Sequence, residues 1–240
     1  MSLQRNPSWH FVAALALFAC ALPAAAQWTG KGEAGMAVAS GNSDSKTANA
    51  KVAIAHKADA WEETAGFGTL YVRNNGTTTA NRWELSGQTR YTFSGTTYWY
   101  GGARYEEDHF SGFDHDGVAT TGIGHRFFDS DETRLSAQVG VGYKFFKTTP
   151  PGSYKDGSLT EVAGLDFKHK LTDSTTVFDK FGSEFSSSND FLQNELGISV
   201  KVSDRLALSV AYAVRHNSDP PAGFKKTDKL STVNLVYEVK

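Results

Sequence analysis

Apolar and polar side chains alternate strictly along much of this 240-residue sequence. The alternation is clearest in the segments 82–93, 134–145, 192–202 and 205–215. Successive side chains of a β-strand point to opposite faces, so a period of two predicts strands with one apolar and one polar face. These segments match the ~9–11 residues of a tilted membrane strand. Strands of globular proteins are typically shorter, about 5–6 residues.

The whole pattern predicts twelve strands, at 28–40, 46–56, 61–72, 81–93, 97–108, 117–128, 133–147, 158–170, 175–185, 191–202, 205–215 and 229–239. Short connections are expected at 57–60, 94–96, 129–132, 171–174 and 203–204. Longer loops are expected at 41–45, 73–80, 109–116, 148–157, 186–190 and 216–228. Alternating short turns and long loops are typical of outer-membrane barrels. We therefore predict an all-β fold, a transmembrane antiparallel up-and-down β-barrel of 12 strands.

A soluble periplasmic barrel of the lipocalin type, or a β-sandwich, is the alternative fold. It would carry the apolar face inside and the polar face outside, and alternation alone does not distinguish the two orientations. Aromatic residues near strand ends favour the membrane orientation, because aromatic girdles lie at both membrane interfaces. They include Trp83, Phe93, Tyr143 and Tyr237.

The N-terminus has the three-part layout of a secretory signal peptide. Arg5 gives a positive start, residues 9–22 are almost entirely apolar, and 24–26 are alanines. We expect residues 1–26 to be a cleaved signal peptide and 27–240 to form the barrel, exported to the outer membrane of a Gram-negative cell. Lipoprotein processing at Cys20 and an uncleaved membrane anchor are the alternatives. Because Cys20 is the only cysteine, disulfides are not expected in the mature chain.

Charge and hydropathy exclude two classes of protein. A formal net charge of −2 argues against a nucleic-acid-binding protein. Beyond the N-terminus, no apolar run is long enough for a transmembrane helix.

The polar face of the strands is the main candidate site. If that face lines the lumen, its charged residues are Arg82, Glu84, Arg90, Arg134, Lys144, Glu195, Lys201, Arg205 and Arg215. An excess of basic residues would favour anions if the lumen is open. The alternative is that the charges pair with one another and pack the lumen shut, as in small barrels.

Signals of catalysis and of metal binding are weak. His109 with Ser111, or His216 with Ser218, could supply the Ser–His pair of a lipid-modifying enzyme. Asp108 and the segment 114–116 could bind a divalent cation. Each pattern is common by chance in loops. We therefore predict no enzyme activity, no catalytic or metal-binding residues and no cofactor.

Several motifs resemble those of one known family. They are Gly41 to Lys46 after the first strand, Tyr105 to Gly112, Gly122 to Arg126, and Lys226 to Asp228 with Leu230 to Tyr237. Their pattern is similar to that of the salt-induced outer-membrane proteins, which carry domain of unknown function 481. Family members usually end in an aromatic residue, whereas this chain ends in Lys240. The resemblance implies an outer-membrane barrel and no particular activity.

Together these features predict a small passive channel or a protein of envelope integrity under osmotic or salt stress. Its expected partners are outer-membrane lipids, lipopolysaccharide and the barrel-assembly machinery. Two alternatives stay open. One is a closed barrel whose long loops bind lipopolysaccharide or a partner, and the other, weaker one is a lipid-modifying enzyme.

Overall fold

A computed structural model describes residues 27–39, 45–108, 110–149 and 155–239. The predicted signal peptide lies outside these residues. The strands are β1 (Gln27–Ala39), β2 (Ser45–Ala58), β3 (Trp61–Asn74), β4 (Thr77–Ser94), β5 (Thr97–Asp108), β6 (Phe113–Asp129), β7 (Thr133–Thr148), β8 (Lys155–Lys170), β9 (Thr175–Ser186), β10 (Phe191–Lys201), β11 (Leu206–Asn217) and β12 (Thr227–Val239).

The strands form a closed barrel, as predicted. Each pairs antiparallel with its neighbours in the sequence, and β1 pairs with β12. That last pairing sets Gly32 opposite Tyr237 and joins the two ends of the chain. Across this seam the register pairs Gly30–Ala34 with Leu235–Val239, so five residue pairs join the two edge strands of the sheet. In the described part of the chain, no helix has the length and apolar character needed to cross a membrane.

We call the end of the barrel that carries Gln27, Val239 and the five turns 59–60, 95–96, 130–132, 171–174 and 202–205 the terminal end. The opposite end is the loop end. The predicted long loop at 73–80 is wrong, because Asn75 and Gly76 alone join β3 to an 18-residue β4. Their φ angles of 48° and 80° suit the tight hairpin turn that Asn-Gly favours. The Asn-Gly dipeptide is the sequence feature that indicates this tight turn.

Apolar side chains cover the outside of the barrel. Ile123 is 56% exposed and Val141 is 59% exposed, although both lie in the middle of long strands. The polar face is turned inward, and Lys144 is only 1% exposed. A soluble barrel would show the reverse arrangement, so the lipocalin-type alternative does not describe this fold.

Two tyrosines fill the lumen beside β5, β6 and β7. Tyr98 is 0% exposed and Tyr100 is 2% exposed. Glycines on the neighbouring strands make room for both rings. A Cβ atom at Gly124 would stand 2.3 Å from the Tyr98 ring, and one at Gly140 would stand 2.6 Å from the Tyr100 hydroxyl. This side of the lumen is therefore packed to protein density.

Candidate functional site in the barrel lumen

A network of charged side chains crosses the lumen near the loop end. Arg104 of β5 is its centre. One terminal nitrogen of the guanidinium, Nη2, lies 2.5 Å from Asp116 Oδ1 and 2.8 Å from Glu184 Oε1. Asp116 is on β6 and Glu184 is on β9, so this one arginine links strands that are not adjacent.

Two further cations complete the network. Lys144 Nζ lies 3.0 Å from Glu184 Oε2 and 3.5 Å from Asp116 Oδ2. Arg215 Nη2 donates to both carboxylate oxygens of Glu106, at 2.9 and 2.8 Å. Charge-assisted hydrogen bonds of this kind are roughly twice as strong as neutral ones. Every cation here contacts at least one carboxylate.

The ring of Phe191 lies among these cations. The guanidinium carbons of Arg104 and Arg215 stand 5.1 and 4.9 Å from its centroid, and Lys144 Nζ stands 5.3 Å away. Cations within about 6 Å of an aromatic face are attracted by the ring quadrupole. We call this assembly the constriction, consisting of Phe191, Arg104, Glu106, Asp116, Lys144, Glu184 and Arg215.

A smaller charged group lies toward the terminal end, and we call it the lower belt. Glu62 accepts a hydrogen bond from Arg126 at 3.2 Å and lies 3.6 Å from Arg90. Both guanidiniums lie over the ring of Tyr98, at 4.9 and 5.1 Å from its centroid. The side chains of Glu62 and Arg90 are more exposed than the charged side chains of the constriction.

Two adjoining cavities in the lumen are lined by charged residues of the described strands. The first, of about 360 Å³, is bordered by the cations Lys51, Arg82, Lys180 and Arg215 and by the carboxylates Glu84 and Glu195. We call it the basic chamber. The second, of about 300 Å³, has Arg104 and Glu184 as its only charged lining residues and we call it the neutral chamber. Ser86, Gly182 and Gln193 line both cavities, so the two adjoin.

The predicted lumen residues are distributed over these regions. Lys144 and Arg215 belong to the constriction, and Arg90 belongs to the lower belt. Arg82, Glu84, Glu195 and Arg215 border the basic chamber. Arg134 and Lys201 are exposed at the terminal end, and the Arg134 guanidinium lies 3.9 Å from Asp129.

Arg205 lies elsewhere than predicted. Strand β11 begins at Leu206, so Arg205 belongs to the turn, where the period of two no longer sets the direction of a side chain. Its guanidinium is 3.5 Å from the hydroxyl of Tyr237, which is exposed on the same face of β12 as Val233 and Leu235. It is therefore not part of the charged lumen.

Sequence reasoning missed most of the constriction. Arg104, Glu106, Asp116, Glu184 and Phe191 come from β5, β6, β9 and the start of β10. The alternation in the first three of these strands is weak, although Arg104, Glu106 and Asp108 do follow a period of two. Because these acids neutralise Arg104, Lys144 and Arg215, the predicted basic excess does not describe the lumen as a whole.

The structure separates the predicted pair of His216 and Ser218 into two different hydrogen bonds. His216 Nδ1 lies 2.9 Å from the hydroxyl of Thr227, whereas the hydroxyl of Ser218 accepts a hydrogen bond from the Asp190 amide. His109 is outside the described residues. Within the described ranges, no group of three or more histidine, cysteine or acidic residues could hold a metal ion.

Comparison with known proteins identifies the family. The model of a family described as "Protein of unknown function, DUF481" matches residues 32–239. The chain belongs to this family. It is also 26% identical over 167 residues to the uncharacterized protein YdiY of Escherichia coli (strain K12). That match covers 69% of this chain and 65% of the relative's length, so about a third of the relative lies outside it.

Solved structures resemble the fold. The NanC porin superposes with a TM-score of 0.54 at 6% identity, covering 89% of this chain and 100% of the porin. The translocator domain of the autotransporter NalP from Neisseria meningitidis gives a TM-score of 0.47 at 17% identity, covering 88% of this chain and 86% of that domain. At such low identity, the likeness to the NanC porin concerns the fold alone.

Proposed function

We propose that the protein is an outer-membrane barrel that acts as a narrow passive channel for small solutes. The apolar outer face supports a membrane location, because strands can span a bilayer when all of their backbone groups are paired in a closed barrel. The porin-like fold and the family membership agree with that location. The lumen runs along the barrel axis, and side chains of the described strands narrow it.

The single observation that carries the channel proposal is the composition of the constriction. Phe191 and six charged side chains of the barrel wall narrow the lumen near the loop end. Side chains change rotamer far faster than backbone rearranges. A constriction of this kind can therefore admit small solutes intermittently without unfolding any strand, and the adjoining chambers provide polar space beside it.

The same observation also supports a second candidate function, a closed barrel. Lys144 is 1% exposed and contacts two carboxylates, which is the pattern of a lumen that is packed shut. Such a barrel would serve envelope integrity, with its loops in contact with lipopolysaccharide or another envelope partner. In both proposals, export and the barrel-assembly machinery bring the chain to the outer membrane, and no enzyme activity or cofactor is involved.

Conductance across a planar lipid bilayer tests the proposal. We expect small, flickering currents from the unmodified protein. Phe191→Ala removes the ring at the centre of the constriction without leaving an unpaired charge, and conductance should rise at least twofold. Phe185→Ala is the matched control, because Phe185 is 44% exposed on the outer wall, and its conductance should not change.

Heat-modifiable migration on gels would verify that all three proteins are folded. Folded protein without any conductance would contradict the channel and leave the closed barrel. The location has its own test, since the protein should fractionate with outer membranes and require detergent for extraction. Recovery in the soluble fraction would contradict it.

A further inference from the structure

The basic chamber differs from the rest of the lumen in how its charges are paired. Four cations and two carboxylates border it. Two of the cations already have close partners. Lys51 pairs with Glu195 across the chamber, and Arg215 donates two hydrogen bonds to Glu106 of the constriction. The positive charges of Lys51 and Arg215 are therefore already balanced by carboxylates.

The other two cations have no such partner. Among the described residues, no carboxylate oxygen lies within 4.0 Å of the Arg82 guanidinium or of the Lys180 ammonium. Asp108 stands opposite Arg82 in the strand register, but one of its carboxylate oxygens accepts a hydrogen bond from the Phe110 amide. Arg82 is on β4 and Lys180 is on β9, so unpaired cations border the chamber on two sides.

Three acids could neutralise them. Asp108 stands opposite Arg82 and Asp166 stands opposite Lys180 in the strand register. The third is Glu84, which borders the chamber itself. Glu84 stands opposite Glu106 in the register between β4 and β5, and it lies two residues from Arg82 on the same face of β4. Within the described part of the chain it makes no ion pair shorter than 4.0 Å. When the paired groups are counted as neutral, the residues that line the chamber keep two cations against one carboxylate. Asp108 and Asp166 stand opposite these cations but do not line the chamber.

The remaining lining suits a polar ligand. Asn49, Ser86, Gln193 and Thr232 present amide and hydroxyl groups, which donate hydrogen bonds to anionic oxygens. Gly68 leaves space open in the wall. A Cβ atom at Gly68 would have Lys51 Cγ, at 3.9 Å, as its only neighbour within 4 Å. The volume of about 360 Å³ falls within the range of small-molecule sites.

We propose that the basic chamber binds a small multivalent anion that carries carboxylate or phosphate groups. Arg82 and Lys180 contact its charged groups, and the amide and hydroxyl side chains hold its remaining oxygens. A multivalent ligand is favoured because the two unpaired cations are on separate strands. The inference deepens the proposed channel by naming a class of solute, but binding itself does not require conduction.

Calorimetric titration of the purified barrel in non-ionic detergent at low salt tests this inference, with citrate and inorganic phosphate as probes. We expect one binding site for at least one of the probes. The double variant Arg82→Gln with Lys180→Gln should weaken its affinity at least tenfold. Arg134→Gln with Lys201→Gln removes the same charge from the exposed terminal end, and its affinity should stay within twofold of the unmodified protein.

Heat-modifiable migration would check the folding of every variant, and the conservative pair Arg82→Lys with Lys180→Arg should restore most of the affinity. Equal losses in both double variants, or no binding of either probe by the folded protein, would overturn the chamber site. Citrate binding alone would assign carboxylates, and phosphate binding alone would assign phosphates. Binding without conductance would overturn the channel and leave the site, whereas conductance without binding would do the opposite.

Discussion

The constriction and the basic chamber are neighbouring regions of one lumen, built from the same residue types on the same inward face. In the constriction, each cation contacts a carboxylate within 4.0 Å. In the chamber, Arg82 and Lys180 have no such contact among the described residues. Strand register makes the difference. It brings Arg104 close to Asp116 and Glu184, and Glu106 close to Arg215. No such contact forms at Arg82 or Lys180 in the chamber among the described residues.

We expect the largest difference in stability between the two regions when one arginine is removed from each. Arg104→Ala leaves Asp116 and Glu184 without one of their partners in a buried setting. We expect a loss of about 3–5 kcal/mol in the free energy of unfolding, the usual effect of breaking a buried ion pair. Arg82→Ala should cost about 1 kcal/mol or less, because it breaks no close pair. Urea unfolding in lipid vesicles measures both.

An equal loss in the two arginine variants would show that the chamber is as tightly paired as the constriction. The two regions would then not differ in whether their cations are paired with carboxylates.

Packing can be compared between two glycines, one on the side of the lumen filled by Tyr98 and Tyr100 and one in the basic chamber. A Cβ atom at Gly140 would stand 2.2 Å from the Thr121 carbonyl oxygen and 2.6 Å from the Tyr100 hydroxyl. Overpacking of this kind destabilises by about 1–3 kcal/mol, so Gly140→Ala should lower stability by that amount. Gly68→Ala borders the open chamber and should change stability by less than about 0.5 kcal/mol.

The same urea titration compares the two glycine variants, with conductance as a second measurement. If Gly68→Ala lowered stability more than Gly140→Ala, the basic chamber would be the more tightly packed of the two places.

The lower belt should give the smallest effect. Glu62 pairs with Arg90 and Arg126, but its side chain is 26% exposed. Partly exposed pairs contribute about 0–1 kcal/mol, and salt screens them. Glu62→Gln should therefore cost up to about 1 kcal/mol at low salt and less at high salt. Glu132→Gln, in an exposed turn, is the control and should have no measurable effect.

If the loss of stability caused by Glu62→Gln did not depend on salt, the lower belt would be a desolvated charge network like the constriction. The lumen would then have two closed regions, the lower belt and the constriction, and one open region, the basic chamber.

The local pattern was sufficient to predict the barrel and its strands. A period of two depends only on neighbouring residues, so it marks strands and their two faces directly. It also placed Arg82, Glu84, Lys144 and Arg215 on the polar face, where they border the lumen regions described above. It failed at Arg205, which lies beyond the start of its strand.

Only the tertiary structure decided which face is inside and which charges meet. A strand has the same alternation whether a barrel closes around its polar or its apolar side. Arg215 and Glu106 are 109 residues apart, and Arg104 and Glu184 are 80 apart, so no local pattern could pair them. Closure through β1 and β12, together with the register of all the strands, brings these side chains to one level of the lumen. The sequence by itself determined strands with one apolar and one polar face, and closure of the barrel turned the polar face toward the lumen.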